Sequence, residues 1–145
     1  MRRMLAVALA AAVLLLPTAA DAVIRPHRGM SGVWLGMTSS QVQAKLGRPI
    51  GRGGGRLYFA RVWVGFRRGR AVEITTTRST ERTPAGVGVD SSESAVRAAY
   101  PGVTCSPWSV YRRCRLGSGK PGTRVTDFTI GRGRVLQVTV ALLPA

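Results

Sequence analysis

The apolar positions change period several times along the chain, and each change marks an element. From Met4 to Leu16 they run unbroken and uncharged behind Arg2 and Arg3, then stop at Pro17, and Ala20-Asp21-Ala22 follows with the small-x-small form that signal peptidases read. The run is about 13 residues, short of the roughly 20 that span a bilayer as a helix. Residues 1–22 are therefore predicted to be a cleavable signal peptide, cut near Ala22, leaving a mature part with no membrane span. No Cys stands beside the cut to take a lipid, which predicts a secreted, periplasmic or cell-wall-associated product. Residues 23–31, holding Arg, Pro, Gly and the chain's single His, His27, read as a flexible N-terminal segment.

Two later stretches share one plan. Gly32-Val33-Trp34-Leu35 precedes Thr38 to Leu46, and Gly86-Val87-Gly88-Val89 precedes Ser92 to Tyr100, with Gly, Val, Ser, Val and Ala recurring in register. Thr38 and Ser92 each supply a hydroxyl able to accept from an unpaired first-turn amide. Val42 and Leu46, then Val96 and Tyr100, are four apart and put one apolar stripe on each helix. Gly47-Arg48-Pro49 and Pro101-Gly102 end them.

After each helix the period falls to two. Between Leu57 and Phe66 every even position is apolar, a hairpin is predicted at Arg67-Arg68-Gly69-Arg70, and Val72 and Ile74 then alternate with Glu73 and Thr75. Phe128 to Ile130, a turn at Gly131-Arg132-Gly133 and Leu136 to Val140 repeat the pattern, and the longer second half adds a strand candidate over Trp108 to Leu116. The Gly51-to-Arg56 run reads as a mobile loop; it has no Lys-Ser/Thr and precedes a strand, unlike a phosphate loop. The predicted fold is α+β: two tandem helix-then-antiparallel-strand repeats, residues 32–83 and 84–145, with the helices packed on one face of an antiparallel sheet. Its other face is expected to be open, and Phe59, Arg61, Trp63, Glu73, Trp108, Tyr111 and Arg113 are the candidate partner-binding residues, with Asp127 and Gln137 beside them. Aromatic and Arg side chains of this sort anchor protein interfaces.

Charge adds a second class of partner. The chain has 22 Lys and Arg against 6 Asp and Glu, for a net charge of +16, and cleavage of the signal removes only Arg2, Arg3 and Asp21 from that balance. Such a surface attracts polyanions, an anionic wall polymer among them. The Arg residues are scattered rather than blocked, and with Ala, Gly, Val and Pro plentiful the composition also fits a GC-rich coding bias, so no specific nucleic-acid binding is expected. Cys105 and Cys114 in an exported chain predict a disulfide worth about 2–3 kcal/mol by chain entropy. Two thiols and one His fall short of four zinc ligands, and no metal or cofactor is expected. No catalytic residue is assigned: His27 lies outside the patterned region, and Asp90 and Glu93 sit where they complement a helix dipole.

Leu35-Gly36-Met37-Thr38, with Gln41-Val42 and Leu46-Gly47-Arg48-Pro49, resembles the recurring G-M-T-x-x-Q-V motif of the β-lactamase inhibitor protein and of the SmpA/OmlA outer-membrane assembly lipoproteins. Cys105-Ser106-Pro107-Trp108-Ser109 and Tyr111 are similar to the inhibitor's second repeat, whereas Asp90 and Ser91 replace the Gly and Met of the motif there. The resemblance implies a concave sheet that grips a protein target. Together these readings predict a non-catalytic, inhibitor-like module for an unknown extracytoplasmic protein, or alternatively a cationic envelope protein held by its Arg surface.

Overall fold

The structure, a computed structural model, describes residues 23–145; the assigned signal peptide lies outside them. A short hairpin comes first, β1 (Gly29–Met30) and β2 (Val33–Trp34), followed by helix α1 (Ser39–Leu46). Four strands follow: β3 (Gly51–Gly53), β4 (Arg56–Phe59), β5 (Val62–Arg67) and β6 (Arg70–Thr76). Helix α2 (Glu93–Ala99) leads to β7 (Thr104–Trp108), β8 (Tyr111–Leu116), β9 (Arg124–Gly131) and β10 (Arg134–Leu142).

The larger sheet has eight strands in the order β3-β4-β5-β6-β10-β9-β8-β7, every pair antiparallel. Tight turns join most neighbours. Both central residues are left-handed at Gly54-Gly55, Arg68-Gly69 and Arg132-Gly133, the backbone whose twist matches that of paired strands. The core is read from the register: Phe59, Val62, Thr76, Val138, Phe128, Cys114 and Cys105 stand opposite one another across seven strands. Leu57, Val64, Ile74, Val140 and Thr126 form the adjoining row. Nearly all of these side chains are buried in one cluster with Ile24, Met30 and Val33 of the N-terminal segment.

The expected α+β class of two tandem helix-then-strand repeats with a helical layer is overturned. Among the described residues strand accounts for 46 % and helix for 12 %, and the fold is mostly one continuous antiparallel sheet. The helices span 8 and 7 residues and contribute one fully buried side chain each, Val42 and Val96. Their starts follow the sequence: Thr38 Oγ1 accepts from the Gln41 amide while Gln41 Oε1 accepts from the Thr38 amide, a reciprocal capping box, and Ser92 Oγ accepts from Ala95.

Three local expectations also change. Residues 23–31 are not a flexible tail, because Ile24 is 0 % exposed, β1 pairs with β2, and the His27 amide donates to Thr126 Oγ1 at 2.8 Å. The Gly51-to-Arg56 run is a hairpin, since Gly54 and Gly55 adopt φ of 58° and 74° that let β3 fold back on β4. The run from Leu57 to Phe66 is two strands broken at Ala60-Arg61, where Arg61 takes φ 62°. The expected disulfide is present: Cys105 and Cys114 face each other across β7 and β8, with S–S 2.04 Å.

Candidate functional site

The sheet face turned away from the core carries a second set of rows. Tyr58, Trp63, Thr75, Thr139, Asp127 and Arg115 stand in register across β4, β5, β6, β10, β9 and β8. The row is bonded along its length as well as across the backbone. Thr75 and Thr139 share a hydroxyl hydrogen bond at 2.8 Å, and Arg115 donates to both Asp127 oxygens at 2.7 Å each. In the next row Arg56 reaches over Gly65 to Glu73 at 3.2 Å. A Cβ at Gly65 would stand 3.4 Å from Glu73 Cβ, so the absent side chain leaves the pair room to form. These bonds fix the charge pattern: the Asp127 carboxylate, chiefly by hydrogen bonding, holds the Arg115 guanidinium above its ordinary pKa, and Glu73 does the same for Arg56.

At the β7–β8 end the face turns apolar. Trp108 and Tyr111 pair across the hairpin, each 44 % exposed, and Val110 at the turn is 85 % exposed. Leu136, beside the irregularity where β10 slips register after Val135, is 43 % exposed and lines a shallow depression with Val110 and Tyr111. Arg113 lies over the Trp108 ring at 5.4 Å from its centroid, within cation–π range. A second depression of about 290 Å³ runs from Trp108 and Arg113 along Arg115, Asp127 and Gln137 to the Arg56–Glu73 pair.

Of the residues expected on this face, Trp63, Glu73, Trp108, Tyr111, Arg113, Asp127 and Gln137 are on it. Phe59 is not. It is 5 % exposed in the core, because the Ala60-Arg61 turn reverses the side-chain parity of β4 and puts Tyr58 outside instead. Arg61 sits at that turn, where its carbonyl accepts from the Thr77 amide at 2.9 Å, and so lies off the rows. Sequence reasoning passed over Tyr58, Arg56, Arg115, Val110 and Leu136. Arg115 was findable, two residues beyond Arg113 on the same alternation; Leu136 was not, since its position depends on the register slip.

Chemically, the face offers aromatic rings, guanidinium groups and carboxylates already bonded to arginine. Near the disulfide, Glu93 lies within 4.8 Å of both sulfurs, but those sulfurs are bonded to each other and are not thiolate ligands. Among the described residues no helix is long and apolar enough to cross a membrane.

No protein-family model matches the sequence, and neither does any curated protein. Two solved structures share the fold. One is an extracellular protein containing an SCP domain from Bacillus anthracis, with 10 % identity, TM-score 0.52, and coverage of 74 % of this chain and 43 % of that one. The other is a DUF4309 family protein, YjgB, from Bacillus subtilis, with 14 % identity, TM-score 0.50, and coverage of 72 % of this chain and 78 % of that one. The chain thus spans less than half of the first neighbour's length. At these identities the likeness is one of fold.

Proposed function

We propose that this chain is an exported, non-catalytic protein-binding module, inhibitor-like in kind, that holds an extracytoplasmic protein against the outer face of its sheet. The observation that carries the reading is the cluster of Trp108, Val110, Tyr111 and Leu136, solvent-exposed at one end of a face whose two carboxylates, Glu73 and Asp127, are held in ion pairs with Arg56 and Arg115. Aromatic side chains beside arginine are the residue types that dominate binding energy at protein interfaces. A rigid sheet also loses little conformational entropy on docking. The extracellular neighbour and the intramolecular disulfide agree with export. The test is capture from the extracytoplasmic fraction of the producing cell. The double variant W108A/Y111A is expected to lose the captured protein while keeping the parent's circular dichroism; capture at the parent's level overturns the reading.

A second reading, a cationic protein held by an anionic envelope polymer, has its own support. Glu73, Glu81, Glu93 and Asp127 all lie in ion pairs with arginine, so most of the arginines carry charge with no carboxylate partner among the described residues. Attachment of that kind weakens steeply with salt. Retention on anionic wall material that is insensitive to salt excludes it.

A further inference from the structure

The N-terminal hairpin builds a pocket that is separate from the outer sheet face. Arg25, Arg28, Trp34, Leu35 and Arg124 line a hollow of about 530 Å³. Its parts are positioned by backbone bonds. Arg25 donates to the Gly29 carbonyl at 2.8 Å and accepts from the Arg28 amide at 3.0 Å, which closes a tight turn, and the Leu35 amide donates to the Arg28 carbonyl at 2.9 Å. Gly29 is required in this turn, since a Cβ there would run into the Val33 carbonyl. Arg124, from the start of β9, donates to the His27 carbonyl at 3.3 Å and ties the turn to the sheet. The Arg25 guanidinium stands 5.9 Å from the centroid of the Trp34 ring, which is 36 % exposed.

Three arginines thus line one hollow, and none of them has an ion-pair partner among the described residues. Like charges gathered without a counter-charge repel one another, and an oxyanion between them relieves the repulsion while accepting their forked donors. Three positive charges favour a dianion over a monocarboxylate. The Trp34 and Leu35 wall and the volume beyond a single phosphate leave room for a planar or apolar body. We propose that this pocket binds a small phosphomonoester: its dianionic phosphoryl group lies among Arg25, Arg28 and Arg124, and its ring body lies against Trp34. The site does not depend on the protein-binding reading, and variants of the two surfaces separate them.

The test is calorimetric titration of the mature protein at low salt and pH 8, where a monoester is a dianion, with inorganic phosphate, phenyl phosphate and diphenyl phosphate as probes. Phenyl phosphate is expected to bind about ten-fold tighter than inorganic phosphate, the worth of one well-placed apolar contact. Diphenyl phosphate is expected to bind at least about ten-fold more weakly than phenyl phosphate, since it lacks one charge-assisted bond. This arm separates monoester groups from the diester linkages of polymers and lipids. R28Q should weaken phenyl phosphate by about ten-fold or more, W34A should erase its advantage over inorganic phosphate, and R132Q, at the exposed β9–β10 turn, should match the parent. If R28Q fails to fold, R25Q takes its place. Equal losses in R28Q and R132Q, an advantage that survives W34A, diester binding as tight as monoester, or no heat with any probe each overturns the proposal.

Discussion

Glu93 is the residue on which most short-range charge converges. It accepts from Arg112 at 3.0–3.3 Å and from Arg97 at 3.4 Å, so it links α2 to β8. Hydrogen bonding from Arg112, ahead of the opposing cost of desolvation, lowers its carboxyl below the ordinary value of 4.5. Its folded pKa is then below its unfolded one, so the stabilisation is fully present above the ordinary value and is lost as the pH falls through the folded one. Melting temperature should therefore fall on acidification below about pH 4.5, and E93Q should show a shallower fall; parallel curves for the two proteins count against this role. Asp127 makes the stronger geometry, with two bonds to Arg115 and side-chain exposures of 13 % and 20 %. D127A should lower stability by about 1–3 kcal/mol by leaving Arg115 half-buried and unpaired, read as a shift in urea midpoint at constant m-value. At this scale the sequence located Trp63, Glu73 and Arg113 on the outer face but misplaced Phe59. An unbroken apolar alternation conceals a turn, and a turn of two residues reverses which parity faces the core.

Among the elements, the helices and the N-terminal hairpin contrast most. Both helix starts were legible because Thr38 and Ser92 announce the caps chemically. The hairpin was not, since Arg, Pro and His give no apolar period, and its order comes from Ile24, Met30 and Val33 entering a core built by distant strands. The weight of sheet over helix was hidden for a related reason. The Gly-rich β3 pairs through its backbone and buries no side chain, so no periodicity reports it. Each helix buries one valine fully, with Leu46 of α1 and Ala95 and Ala99 of α2 packed beside the core, which makes V42A and V96A informative: each should lose about 2 kcal/mol, from two missing methyl groups and the space they leave. Thermal unfolding checks the magnitude, and hydrogen exchange should show the added opening confined to the helix concerned. The disulfide ties the two outermost strands of its end, with a sequence separation of 9. Replacing both cysteines by alanine should cost about 2–3 kcal/mol and raise amide exchange first in β7 and β8. Protection unchanged in that hairpin argues against the bridge as its main restraint.

For the molecule as a whole, charge and sheet order are the governing features. With 22 basic and 6 acidic residues, and the described acids mostly paired, like-charge repulsion outweighs the ion pairs that salt would weaken. Raising salt from about 0.01 M to 0.15 M, which shortens the screening length from roughly 30 to 8 Å, should therefore raise the melting temperature; a fall would mean that the ion pairs dominate. The charge was plain in the sequence, whereas its gathering at Arg25, Arg28 and Arg124 was not, because the hairpin and β9 that bring these residues together are far apart in the chain. The sheet order has a consequence in time. β10 lies in the middle of the sheet, between β6 and β9, with Val138 and Val140 fully buried. Until Arg134–Leu142 has been synthesised, the two groups of four and three strands on either side have no seam to join them. The ribosome must therefore release nearly the whole described length before the sheet can close, so closure of the sheet is a late event in the life of the nascent chain.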